Sequence, residues 1–143
     1  MAGTFGVYWQ QQILSHIADG TVFTQQTLWV ALSTSTFWTA AGSDFAGEPG
    51  GAAYARYGIN TGLWSAVVSG AIGSSGCYIL NSTQFTFAQP TSNWGTIGYI
   101  ALCNTSTSGQ GYILAWCTAA NARTVLTGDT VLVGTGSLQL QVT

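Results

Sequence analysis

Of the 143 residues only 4% are charged, against about 25% in an ordinary soluble domain. Four acids (Asp19, Asp44, Glu48, Asp129) stand beside two arginines (Arg56, Arg123) with no lysine, and Tyr57 to Ala122 carries neither charge nor histidine. Two bases make no footprint on phosphates, which excludes a nucleic-acid partner, and the most apolar stretch, Leu63 to Leu80, is too broken by serine and glycine to span a membrane.

Six Trp, six Tyr and six Phe argue against disorder, because aromatic side chains bury large areas and specify packing. The surface must then be built from Ser, Thr, Asn and Gln. Such a surface has little charge repulsion and suits permanent contact with other subunits. The length fits one domain over residues 1–143. The start, Met1-Ala2-Gly3-Thr4, has no basic region followed by an apolar run, so no signal peptide is expected and synthesis is assigned to the host cytoplasm. Cys77, Cys103 and Cys117 are odd in number and widely spaced, as reduced thiols would be. Asn81-Ser82-Thr83 and Asn104-Thr105-Ser106 match the glycosylation triplet by chance in a chain this rich in Ser and Thr.

The first predicted element is a helix over about 4–19. Phe5, Trp9, Ile13 and Ile17 recur at four-residue spacing, with Thr4 as N-cap and Asp19-Gly20 as the stop. The period then changes to two. Leu28, Val30 and Leu32 share one strand face and Trp29 and Ala31 the other, which predicts a central strand covered on both sides. A long loop over about 34–53 ends at Glu48-Pro49-Gly50-Gly51, and Tyr54 to Ile59 reads as a strand. Gln84 to Ala88 alternates and stops at Pro90. Thr96 to Cys103 and Tyr112 to Cys117 flank turn-forming residues, predicting a hairpin with a flexible tip. Thr130 to Val133 and Leu138 to Val142 close the chain. Seven or eight short strands with one helix predict a mainly β fold, a β-sandwich or barrel-like domain with one N-terminal α-helix.

Catalysis needs a nucleophile, a base and an orienting group. The single histidine, His16, sits among large side chains, and no Gly-x-Ser-x-Gly turn presents a serine. The cysteine spacings are not those of zinc sites, and the acids show no calcium-loop alternation. No enzyme activity, metal or cofactor is therefore expected. In a chain so poor in charge, Glu48 and Arg56 are the natural ion pair, and Asp129 caps the turn before Thr130. Phe5, Trp9, Ile13 and Arg123 are candidate contacts with neighbouring subunits.

With these residues in view, the chain resembles a family of short phage virion structural proteins described as tail-fibre-like. The likeness runs through Asp19-Gly20-Thr21, the strand from Leu28 to Thr34, Glu48-Pro49-Gly50-Gly51 leading into Tyr54-Ala55-Arg56, Phe85-Thr86-Phe87, Trp94-Gly95-Thr96 and Gly128-Asp129-Thr130. It departs at Asn104-Thr105-Ser106, where relatives often carry an acidic turn. The resemblance implies a place in the virion. Because the chain lacks a fibrous repeat, a capsid decoration (cement) subunit, a homotrimer seated on the major capsid protein, is the favoured expectation. A tail fibre, tail-tip or adaptor component bound to tail proteins is the alternative. A carbohydrate-binding module using Trp64, Trp94 and Trp116 is a further one.

Overall fold

In the computed structural model, which describes residues 4–22, 27–36, 45–51, 53–59, 61–69 and 77–142, the alternating apolar runs become antiparallel strands. In chain order the elements are β1 (Thr4–Phe5), α1 (Val7–Asp19), β2 (Leu28–Ser33), β3 (Tyr57–Ile59), β4 (Val68–Ser69) and β5 (Cys77–Leu80). They continue with β6 (Phe85–Thr86), β7 (Gly95–Cys103), β8 (Ile113–Val125), β9 (Leu132–Val133) and β10 (Gln139–Val142). The main sheet has the order β1-β8-β7-β2-β3. A three-stranded sheet, β10-β5-β4, and the pair β6-β9 form the rest. The fold is mainly β and sandwich-like, and its sheets do not close into a barrel.

Period-two alternation sorts the core. From β2, Val30 and Leu32 join Leu102, Leu114, Phe85, Phe87 and Trp94 in the larger apolar cluster. Ala31 points the other way, into a smaller cluster with Phe45, Ala101, Cys103 and Ile113. The strand is thus covered on both faces, and β3 and β7 satisfy its two edges. Trp94 is buried, and Trp64 and Trp116 pack against the two clusters, so these three rings do not form an exposed row of the kind a sugar would stack on.

The N-terminus differs from the expectation in two ways. Thr4 and Phe5 are not the first helical turn. Their backbone adds a short strand opposite Trp116 and Ala115 of β8, and the side chain of Phe5 lies outside the described residues. Gly6 takes the N-cap position. Its N–H reaches the Leu114 carbonyl at 2.6 Å, and a Cβ there would collide with the Ile113 carbonyl, so only glycine permits so close an approach.

Nor is the helix face of Trp9, Ile13 and Ile17 a buried one. Trp9 packs against the larger cluster and Tyr8 stacks on Tyr112, with ring centroids 4.7 Å apart. Ile13 is half-buried, and Ile17 is 75% exposed. The reason is support: α1 rests on β8, and its later turns have outrun the sheet.

Ten strands stand among the described residues, because β1, β4 and β5 were not legible as strands. β8 also runs on past Cys117 to Val125. Its pairing with β7 shifts between Ile97, opposite Arg123, and Tyr99, opposite Thr118. Gly98 alone therefore faces the segment 119–122, a bulge that breaks the alternation. Arg123 sits exposed on that stretch.

A charged node beneath the hairpin tip

The scarcity of charge makes its placement informative. Glu48 lies in the turn closed by the Glu48 N–H on the Phe45 carbonyl (2.9 Å), and the same segment is held to the end of β2 by Thr34 N–H on the Gly47 carbonyl (2.9 Å). Arg56 directly precedes β3. The chain between them turns back through Gly51 and Ala53, whose φ of 60° is unusual for a residue with a side chain.

The two charges meet in a bidentate pair. Arg56 Nε donates to Glu48 Oε1 at 2.7 Å and Nη2 to Oε2 at 2.8 Å. Both side chains are shielded, at 0% exposure for Arg56 and 2% for Glu48. Such a pair is tenable only when the remaining donors and lone pairs also find partners, and four of the five guanidinium N–H groups meet an acceptor. Arg56 Nη1 donates to the carbonyls of Thr105 (2.9 Å) and Gln110 (3.0 Å). Glu48 Oε2 also accepts the Gly109 N–H at 2.8 Å, and Oε1 accepts the Tyr54 hydroxyl at 2.8 Å. That hydroxyl in turn accepts the Leu32 N–H at 2.9 Å. The Phe45 ring lies 4.3 Å from the guanidinium carbon, a cation–π contact.

The electrostatics follow from burial. Loss of water works against the Arg56 charge, but the hydrogen bonds to Glu48, followed by the influence of Cys103, the Glu48 charge and Tyr54, outweigh it and hold the proton more tightly than usual. Burial, then the Glu48 charge, drives the Tyr54 phenol well above its ordinary range. Burial likewise pushes the Cys103 thiol up to about 12, against the pull of Arg56. None of these groups is poised to exchange a proton near neutrality. The arrangement is a brace.

What it braces is the β7–β8 tip, residues 104–111. The sequence predicts a flexible tip, yet three of its backbone groups end on the ion pair. Within it, Asn104 Oδ1 accepts the Tyr112 N–H at 2.8 Å. Gly111, at φ 87°, sits so close to Asn104 and Thr105 that a side chain would displace both. Charge scarcity pointed to Glu48 and Arg56. The tip carbonyls and the Gly109 N–H gave no signal, because backbone partners have no residue-type signature, and the Tyr54 hydroxyl was one of many neutral polar groups.

A second buried polar node had none either. Asn81, 1% exposed, donates through Nδ2 to the carbonyls of Thr83 (2.9 Å) and Gly134 (2.8 Å), and Oδ1 accepts the Leu138 N–H at 2.8 Å. It ties β5 to the turn before β10.

The remaining candidates lie apart from these nodes. His16 is exposed and its Nδ1 donates to the Thr21 carbonyl at 2.7 Å. Asp129 Oδ2 accepts the Leu126 N–H at 2.8 Å, fastening the turn after β8. Asp44 lies outside the described residues. Among those described, no group of three His, Cys, Asp or Glu side chains could hold a metal ion, and no helix is long and apolar enough to cross a membrane.

No curated protein matches the chain. A protein-family model described as "Podophage GP4 fiber I protein gp80" matches residues 4–141. Nearly every strand, the helix and both polar nodes fall within that match, and the chain belongs to this family of phage virion structural proteins.

Proposed function

We propose that the chain is a structural subunit of a tail fibre on a short-tailed phage, with other copies of itself and tail proteins as its partners. The observation that carries this reading is the family match over residues 4–141. It moves the balance from a cement subunit on the head, favoured by the missing fibrous repeat, to the fibre alternative. The site chemistry agrees with a non-catalytic part: the buried charge pair seen among the described residues is tied down by hydrogen bonds and holds a loop in place. Its role is to present the neutral tip 104–111 as a fixed projection.

Purified particles labelled with antibody against the chain, with copies counted by mass spectrometry, test the reading. Label at the tail with few copies per particle is expected. Label over the head with hundreds of copies would restore the decoration reading and the major capsid protein as partner.

A further inference from the structure

Tyr112 serves two parts of the molecule at once. Its backbone closes the β7–β8 tip: its N–H donates to Asn104 Oδ1 at 2.8 Å, and its carbonyl accepts the Asn104 N–H at 3.3 Å. Its ring holds the N-terminal arm, residues 4–22, through the stack on Tyr8, whose plane is tilted by only 11°. The tip itself ends on the Glu48–Arg56 pair at Thr105, Gly109 and Gln110. A continuous series of contacts therefore runs from the buried charges, through the tip and Tyr112, to α1.

The arm has few other holds. None of the residues of α1 is buried, and β1 meets β8 only at Trp116 and Ala115. Gly6 donates to the Leu114 carbonyl, and Trp9 packs against the larger cluster. A segment with so little buried apolar surface opens at a lower free energy than the sheet it rests on. Its anchors on β8 and just before it, Tyr112 and Leu114 to Trp116, are also the residues that directly follow the tip.

We propose that the arm and the tip form one two-position device, in which the arm docks while the tip is braced and lifts when the tip loosens. Such coupling is reciprocal. A partner that stiffens the tip therefore tightens the arm, and one that draws the arm away loosens the tip. The device goes beyond the fibre-subunit reading and holds wherever the subunit sits in the particle.

Amide hydrogen exchange of the full chain, followed by nuclear magnetic resonance, tests it with a reporter at each end. The Gly6 N–H reports the arm, because fraying of the helix alone leaves its bond to Leu114 intact. The Gly109 N–H, on Glu48 Oε2 at 2.8 Å, reports the tip. Ala101, paired on both sides in the main sheet, is the reference for global opening. Asn104→Ala, in the tip, should speed Gly6 exchange about 5-fold or more over the reference, the low end of ordinary coupling between sites. Tyr8→Leu, in the arm, should speed Gly109 exchange by a similar factor. Tyr8→Phe keeps a ring that can stack and should leave both amides at their original rates. Should Asn104→Ala misfold, Tyr8→Leu carries the test alone, since its change lies on a helix with no buried residue. A distant amide that merely keeps pace with Ala101 in a folded variant overturns the proposal, and so does Tyr8→Phe behaving like Tyr8→Leu.

Discussion

The two buried polar nodes solve one problem with different chemistry. Asn81 joins three backbone groups of neighbouring turns through a neutral amide. Glu48 and Arg56 join three backbone groups of the hairpin tip through opposite charges. Neutral amide bonds contribute about 1 kcal/mol net, and those to charged groups about 1.5–3. Ions, however, must first be stripped of water, at several kcal/mol each. The charged node is therefore no better an adhesive on balance. It differs in how it fails: a lost amide leaves unpaired dipoles, whereas a lost ion leaves an unpaired charge. The tip is consequently held by an all-or-none clamp, and the turn before β10 by a graded one.

Breaking the pair on one side gives the largest expected effect. Glu48→Gln or Arg56→Met should each cost about 3–5 kcal/mol in chemical denaturation. The double variant should cost less than the sum of the two, because it strands no charge. Strict additivity would contradict the clamp. Hydrogen exchange at the Gly109 amide should accelerate in either single variant, beyond what global destabilisation explains.

Asn81→Ala leaves the Leu138 N–H and two carbonyls without their partner, and should cost about 1–3 kcal/mol. Asn81→Asp sharpens the contrast. It keeps the acceptor for Leu138 but turns a second oxygen toward the carbonyls of Thr83 and Gly134. It should be more harmful at neutral pH than in mild acid, where the carboxyl can carry a proton. A variant equally stable at both would show that the amide does not donate inward.

Alkali separates the nodes more gently. Cys103 rises from an ordinary 9.0 to about 12 on folding, through burial, and Tyr54 is raised above its ordinary 10.0, by burial and then by Glu48. The folded chain therefore keeps protons that the unfolded chain releases. The associated stability is complete below about pH 9 and is lost as pH climbs toward the folded values, with a slope of at most about 1.4 kcal/mol per pH unit for each group. Cys103→Ala should flatten the alkaline limb of the stability profile, and Asn81→Ala should leave its slope unchanged.

The smallest effect is a rate. Cys77 is exposed, while Cys103 and Cys117 are buried, so a thiol reagent should modify one site quickly and two slowly. Cys103 then reports on its neighbourhood. Glu48→Gln should speed its labelling relative to that of Cys117, and a uniform acceleration of both would place the opening elsewhere.

How far the sequence revealed this depended on scarcity and period. Glu48 and Arg56 stood out because almost nothing else is charged. Asn81 was invisible among many neutral polar residues and looked like a chance sugar-acceptor triplet. β2 was legible from its period of two, and β7 as an apolar run beside a turn-forming segment. β5 and the far half of β8 were not, because glycine and serine precede one and a bulge breaks the other. The helix was legible as a helix, but its orientation was not. Four-residue spacing shows that apolar side chains align, whereas the sheet beneath decides which of them it covers.

The pairing order of the main sheet also sets a timetable for synthesis. β7 and β8 are joined by a short tip and can pair as soon as both have left the ribosome. β2 must wait for β7 across about half of the chain, and β1 for β8 across more than that. Closing such long loops is slow compared with forming a hairpin. At about 5–20 residues per second, β2 has β3 on one side soon after synthesis but spends several seconds without β7 on the other. Through that interval the apolar strand Leu28–Ser33 is a nascent edge, and the expected casualties of fast expression are chains trapped before β2 inserts.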